Sequence, residues 1–246
     1  MKKENIISFR VHGRKALFCD PVNRVGGEKM SYQIPTYQAL KGIAESLYWK
    51  PTLYWRVLRC RVINPIQTQS EGVRPILMNG GNTLSYYTYL KDVCYEVEIK
   101  MEWNENRKDL IQDRNEDKHY WIAKRMVERG GRRDVFLGTR ECQAYIEPCV
   151  FGEGKGDYDD QPGELSFGLQ FHSFVYPDEA SKAEDYGNLT SLFWWSKMQK
   201  GEIIFPSPDE CTIRRRLHPM GMKEFKKGVN FSGYDQLIEG ESPWDG

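Results

Sequence analysis

Two stretches of alternating apolar and polar residues limit the folds open to this chain. In residues 54–66 the apolar side chains share one face and the arginines the other: Leu58, Cys60 and Val62 against Arg59 and Arg61. Residues 93–103 alternate in the same way. A period of two is that of a strand with one buried face. We therefore predict two half-buried strands, with both guanidiniums facing outward, either toward RNA or toward a cross-strand ion pair.

Two other segments carry apolar residues at helical spacing. The first begins after Thr36, a suitable N-cap, and ends before Pro51. Its apolar stripe is Ala39, Leu40, Ile43, Ala44 and Leu47. Tyr48 follows the stripe, so its ring is predicted to pack at the helix end while its hydroxyl reaches a surface cleft. From the residues alone, a purely structural aromatic is the preferred interpretation.

The second helical segment has Asn115 or Asp117 as its cap and runs to the glycines at 130 and 131. Lys118 and His119 then lie in the first turn, where free amides and the helix dipole favour an anion. An imidazole that titrates near neutral pH beside a fixed positive charge suits cleavage of a phosphodiester. A solvated charged turn with a half-buried histidine is the alternative interpretation.

The order of these segments predicts an α+β fold. Residues 6–19, 84–90 and 142–150 supply further strands, so the chain reads strand, helix, three strands, helix, strand. Apart from the additional strand 84–90, this order fits a ferredoxin-like β-α-β-β-α-β domain over residues 1–150. Residues 151–246 are predicted to form a smaller, antiparallel β-rich C-terminal domain. The glycine-rich acidic run 152–160 lacks the spacing of a phosphate or calcium loop and is expected to be a solvated linker.

Composition excludes several classes of protein. Lys plus Arg and Asp plus Glu both number 35, so any nucleic-acid binding must come from charge segregated in space. The six cysteines form no Cys-x-x-Cys pair, which argues against a zinc site and a disulfide framework. No apolar run approaches the roughly 20 residues that cross a bilayer, so we expect neither a signal peptide nor a membrane helix, and a cytoplasmic location.

Candidate RNA contacts are chosen by charge. They lie in a glycine-containing loop, on the outward face of the strand 54–66, on the second helix and in the turn after it: Arg24, Lys29, Arg59, Arg61, Arg125, Arg132 and Arg133.

Several motifs occur in the order and spacing of a known family. They are Gly13-Arg14-Lys15-Ala16-Leu17-Phe18-Cys19-Asp20-Pro21, Ser31-Tyr32-Gln33-Ile34-Pro35-Thr36, Tyr48-Trp49-Lys50-Pro51, Asp117-Lys118-His119 and Leu137-Gly138-Thr139-Arg140-Glu141-Cys142. The chain resembles the CRISPR-associated Cas-five family, subtype d (also called Dvulg), of type I-C systems. The resemblance covers almost the whole chain and is least distinctive after about residue 206.

The resemblance implies a ferredoxin-like repeat-associated (RAMP) fold and a metal-independent endoribonuclease with no cofactor. Such proteins cleave CRISPR repeat RNA in precursor transcripts. They then stay on the 5′ handle of the guide RNA, beside the backbone and large subunits of the type I-C surveillance (Cascade) complex. The family's catalytic residues map onto Tyr48, Lys118 and His119.

Two other functions remain open at this point. One is a non-catalytic subunit that caps guide RNA. The titratable pair Lys118-His119 argues against it, because a cap needs no such pair. The other is a general RNA- or DNA-binding module, against which the absence of an RNA-recognition signature counts. Duplex DNA is a further candidate partner.

Overall fold

The computed structural model describes residues 5–19, 27–222, 226 and 228–230. Its strands and helices are β1 (Ile6–Ala16), β2 (Lys29–Met30), α1 (Tyr37–Leu47), β3 (Leu53–Val62), β4 (Thr68–Val73), β5 (Ser85–Trp103), α2 (Glu116–Glu128), β6 (Val135–Phe136), β7 (Gln143–Pro148), β8 (Glu164–Val175), β9 (Asn188–Gln199), β10 (Glu202–Ile204) and β11 (Ile213–Pro219). Short 3₁₀ helices span Lys108–Asp113 and Ala183–Asp185. The fold is α+β and mostly antiparallel sheet, as predicted.

The longest strand, β5, is the centre of the sheet. It pairs with β1 on one side and β3 on the other, both antiparallel. The sequence predicts two strands, 84–90 and 93–103, and the break between them is wrong. Asp92 adopts φ 47° there, a value that Asp tolerates better than most residues, and the strand continues through it.

Both predicted helices are confirmed. The Thr36 hydroxyl caps α1 by accepting from the amide of Ala39 at 3.2 Å, and the helix buries its apolar stripe except for half-buried Ala39. The Asn115 side chain caps α2 by accepting from the amide of Lys118 at 3.0 Å. The α2 helix buries His119, Ala123 and Val127, which recur every four residues on one face.

Strands from the second half of the chain continue the same sheet. The β10 strand pairs with β3 and with β9, which gives the order β11-β9-β10-β3-β5-β1-β7-β6. The predicted domain boundary at residue 150 therefore crosses a hydrogen-bonded sheet, and it stays a prediction. None of the helices in the described ranges is long and apolar enough to span a membrane.

Most of the acidic run 152–160 is exposed, as predicted, but it is anchored to the sheet rather than a free linker. The amide of Gly152 donates to the Glu96 carboxylate at 2.9 Å, and the Tyr158 hydroxyl accepts from the amide of Ile66 at 2.7 Å. Asp159 pairs with Arg61 at 2.9 Å. The segment is thus held on the sheet by charges that lie far away in the sequence.

Candidate active site

Tyr48 and His119 are brought together by the ends of the two helices. Tyr48 follows α1 in an extended conformation, and its carbonyl accepts from the indole N–H of Trp55 at 2.6 Å. His119 lies in the first turn of α2, on the buried face of that helix. The Tyr48 hydroxyl lies 2.7 Å from Nδ1 of His119. The hydroxyl thus points inward to His119, so the predicted surface cleft at Tyr48 is wrong.

Asp113 connects Lys118 and His119. One oxygen of its carboxylate accepts from Nζ of Lys118 and the other from the Thr52 hydroxyl, both at 2.9 Å. Its backbone carbonyl lies 2.6 Å from Nε2 of His119. One residue at the end of a 3₁₀ helix therefore orients both members of the predicted Lys-His pair.

These contacts define the tautomer of His119. A carbonyl oxygen only accepts, so Nε2 carries the proton and donates it to Asp113. In the neutral ring Nδ1 is then an acceptor, and the Tyr48 hydroxyl donates to it. The basic lone pair of the site is thus directed at the phenol oxygen.

The environment keeps both rings neutral. Burial lowers the pKa of His119 against the opposing effects of the Asp113 carbonyl and carboxylate, and the Lys118 and Lys50 ammoniums lower it further. Burial, with the Asp113 charge, raises the pKa of Tyr48 above its ordinary value. Tyr48 is therefore a protonated donor at neutral pH, and Lys118 does not turn it into a phenolate base.

The imidazole is closed off from solvent. His119 is 0 % exposed and Tyr48 3 %, and the ring of Trp103 packs edge-on against His119 with centroids 5.6 Å apart. The Lys118 side chain is 14 % exposed. Lys118 thus lies at the rim of the site and His119 at its base.

Sequence reasoning missed four residues at this site: Lys50, Thr52, Trp103 and Asp113. Burial lowers the pKa of Lys50. The Asp113 carboxylate raises that pKa, and the charges of Lys118 and Arg132 lower it further. The Lys50 ammonium therefore belongs to the same electrostatic cluster. The motif around Tyr48 contained Lys50 and bordered Thr52, but nothing in the polar run 104–117 distinguished Asp113 from its neighbours.

The predicted RNA contacts differ in their exposure and in what they contact. Arg125, Arg132 and Arg133 are exposed. The Lys29 ammonium lies over the ring of Tyr87, 4.7 Å from its centroid. Arg24 lies outside the described residues.

The two arginines of β3 that were predicted to contact RNA are engaged in ion pairs. Arg59 pairs with Glu98 at 2.8 Å and with Glu202 at 3.0 Å. Arg61 is 7 % exposed and contacts Glu96 and Asp159. The cross-strand ion-pair alternative is thus confirmed for both arginines. Only the outward orientation of Arg61 is wrong, because its partner Glu96 is a buried carboxylate and residues 152–160 cover it.

Comparison with known proteins gives consistent matches. The sequence model of the CRISPR-associated Cas5d family matches residues 6–206. A Thermus thermophilus protein named CRISPR pre-crRNA endoribonuclease Cas5d is 25% identical over 217 residues, which are 82% of this chain and 91% of the relative. A Mannheimia succiniciproducens protein of the same name is 33% identical over 166 residues, 58% of this chain and 72% of the relative.

Two solved structures share the fold. A functionally uncharacterized protein from Streptococcus mutans superposes with a TM-score of 0.70 at 38% identity, covering 85% of this chain and 96% of that one. A structure described as a CRISPR-associated protein superposes with a TM-score of 0.69 at 36% identity over the same shares.

Proposed function

This chain belongs to the Cas5d family of CRISPR-associated proteins, and from that membership we propose that it is a metal-independent endoribonuclease that cleaves CRISPR repeat RNA in precursor transcripts. Two relatives carry the name pre-crRNA endoribonuclease. The observation that carries the proposal is the 2.7 Å contact between the Tyr48 hydroxyl and Nδ1 of His119, with Lys118 held beside it. A subunit that only caps RNA needs no such arrangement.

In the reaction we propose, the ribose 2′-hydroxyl attacks the adjacent phosphorus. The 2′-hydroxyl gives its proton to the Tyr48 oxygen while Tyr48 gives its own proton to Nδ1 of His119. This relay follows from the neutral tautomer of His119 and from the raised pKa of Tyr48, which keeps the phenol protonated. Because Tyr48 is 3 % exposed and its hydroxyl points to His119, this step requires the packing over the phenol oxygen to open when RNA binds. Tyr48 then bridges the RNA and a base that solvent does not reach.

The phosphorane carries developing negative charge, and Lys118 is the group that stabilises it. Asp113 holds the ammonium in place, and the cations Lys50 and Arg132 add to the positive field. The leaving 5′-oxygen also needs a proton. Once His119 has taken the first proton, Lys118 is the remaining donor of the three. The products are a 2′,3′-cyclic phosphate and a 5′-hydroxyl.

The strand order supports a ferredoxin-like RAMP domain. The strands β3, β5, β1 and β7 lie side by side in this order, with α1 between β1 and β3 in the chain and α2 between β5 and β7. We assign this β-α-β-β-α-β unit to the RNA-cleaving part. Exposed Arg125, Arg132 and Arg133 remain proposed RNA contacts, and the product is proposed to stay bound by its 5′ handle within the type I-C surveillance complex.

The test is cleavage and binding of labelled repeat RNA in EDTA by the wild type and by His119→Ala. His218→Ala is the matched control, because His218 is exposed on β11. We expect wild type and control to cleave, and His119→Ala to bind without cleaving. An RNA with a 2′-deoxy nucleotide at the cleavage site should stay intact with every variant. A wild type that binds and never cleaves would instead establish the capping role.

A further inference from the structure

A cavity of about 260 Å³ lies beside the end of α1, one residue from the proposed catalytic tyrosine. Its lining combines an indole, two guanidiniums and three residues from the last turns of α1, one of them a glutamate: Gly42, Glu45, Ser46, Trp49, Arg132 and Arg133. Tyr48 is extended, so the side chains of Tyr48 and Trp49 leave the backbone on opposite sides. Tyr48 is buried, whereas Trp49 is 38% exposed.

The chemistry of this lining matches unpaired nucleic acid. Proteins bind single strands by stacking bases on aromatic side chains while cationic groups follow the backbone. In this cavity Trp49 can stack on a base, and Arg132 and Arg133 can contact the phosphates. Glu45 is the acidic member of the lining, and the Lys41 ammonium 3.7 Å from its carboxylate is shared with Glu179. Two guanidiniums against the one carboxylate of Glu45 leave the lining positively charged.

The cavity and the proposed catalytic groups share one electrostatic environment. The Arg132 guanidinium lies close enough to favour the ionised form of Tyr48 and to lower the pKa of Lys50. Since Trp49 also follows Tyr48 directly in the chain, a nucleotide held by this lining lies beside the group that Tyr48 and His119 act on.

We propose that this cavity is a subsite for one unpaired nucleobase adjoining the scissile phosphate, which stacks on the Trp49 indole while Arg132 and Arg133 hold the neighbouring phosphates. The inference rests on the proposed cleavage of repeat RNA and adds a residue that positions the substrate. A paired base is stacked within its helix and does not reach such a platform. Trp49 therefore selects repeats in which the cut lies next to single-stranded RNA.

The experiment combines protein variants with abasic RNA. Dissociation constants are measured for wild type, Trp49→Ala, Trp49→Phe and the control Trp195→Ala, whose indole is 67% exposed on β9. The RNAs are the intact repeat and a series with one abasic nucleotide at each position around the cut. Base–aromatic stacking of about 1–3 kcal/mol corresponds to a loss of roughly 5- to 150-fold for Trp49→Ala. Trp49→Phe should retain most of the affinity.

The decisive comparison is between base removal and Trp49 removal. At one unpaired position beside the cut, we expect the abasic RNA to bind the wild type as weakly as intact RNA binds Trp49→Ala, with no further loss when both changes are combined. Additive losses at every position would overturn the proposal, as would unchanged affinity in Trp49→Ala.

Two further outcomes can be distinguished from failure of the proposal. If Trp49→Ala does not fold, Trp49→Leu gives the same comparison, because leucine fills space without offering a flat face. If the wild type shows this coupling in binding but never cleaves, the cleavage proposal fails and the nucleobase subsite stands.

Discussion

Replacing Asp113 by Asn tests the inferred role of the residue that connects the two helices at the site. The change keeps the shape of the side chain and the backbone carbonyl that accepts from His119. One amide oxygen still accepts from Lys118, and the amide NH₂ can donate to the Thr52 hydroxyl. The hydrogen bonds are therefore replaced while the negative charge is lost.

The cost to stability follows from the burial of the pair. Exposed ion pairs contribute about 0–1 kcal/mol, and removing one partner of a buried pair costs about 3–5 kcal/mol. The side chains of Lys118 and Asp113 are 14% and 5% exposed, so we expect an intermediate loss of about 2 kcal/mol. In a chain of this length that corresponds to a fall in Tm of about 4–8 °C.

The effect on cleavage has a signature in its pH dependence. A displaced Lys118 ammonium is expected to slow single-turnover cleavage by roughly 100-fold. The Asp113 carboxylate also raises the pKa of His119, so its removal lowers that pKa further. Because His119 must be unprotonated to accept a proton, the acidic limb of the pH–rate profile should move to lower pH in Asp113→Asn.

Glu116→Gln is the matched control. It removes one carboxylate from the exposed first turn of α2, so it changes the net charge equally. We expect its Tm to change little and its pH–rate profile to keep its position. An Asp113→Asn protein whose acidic limb stays in place or moves to higher pH would refute the assigned electrostatic role, and an unchanged Tm would refute the burial argument.

Three other predictions concern buried groups. Tyr48→Phe leaves Nδ1 of His119 without a donor. The free energy of unfolding in urea should therefore fall by about 1–3 kcal/mol, and the cleavage rate should fall by about 10²- to 10⁴-fold. A Tyr48→Phe protein that cleaves at the wild-type rate would exclude the relay. Glu96→Gln removes a carboxylate that is 0% exposed and accepts from Arg61, and urea titration should show a loss of about 3 kcal/mol, whereas a loss below 1 kcal/mol would contradict its structural role. Burial lowers the pKa of His172 to about 4, so the unfolded chain binds the extra proton between pH 6.5 and 4, and stability that is complete above pH 6.5 is lost as the pH falls. Between pH 7 and 5 we expect this loss to be about 2 kcal/mol and to be absent in His172→Gln, and equal slopes in the two proteins would contradict it.

Local patterns in the sequence determined the elements near the site. Period-two alternation predicted β3 and the second half of β5. The cap Thr36 predicted where α1 begins, and the two candidate caps Asn115 and Asp117 placed the start of α2 to within two residues. Such patterns act within one or two turns of the chain, because they depend on which residues share a face and on amides that the first turn leaves unpaired. They also placed Lys118 and His119 in the first turn of a helix.

Tertiary structure alone decided which groups these side chains meet. Alternation put Arg59 and Arg61 on one face, but their different exposures depend on the register of β3 with β5 and on residues 152–160, which lie about 90 positions away. Likewise, Tyr48 and His119 are 71 residues apart, and only the packing of two helix ends makes the phenol a donor to the imidazole.

Asp113 illustrates the physical limit most directly. Its carboxylate lies in a polar run that resembles a solvated loop, and it acquires a role because the 3₁₀ helix turns it toward Thr52 and Lys118. The energy of that contact comes from burial and from charges supplied by separate segments of the chain. A residue's neighbours in sequence therefore predicted its secondary structure, and its neighbours in space determined its ionisation and its chemistry.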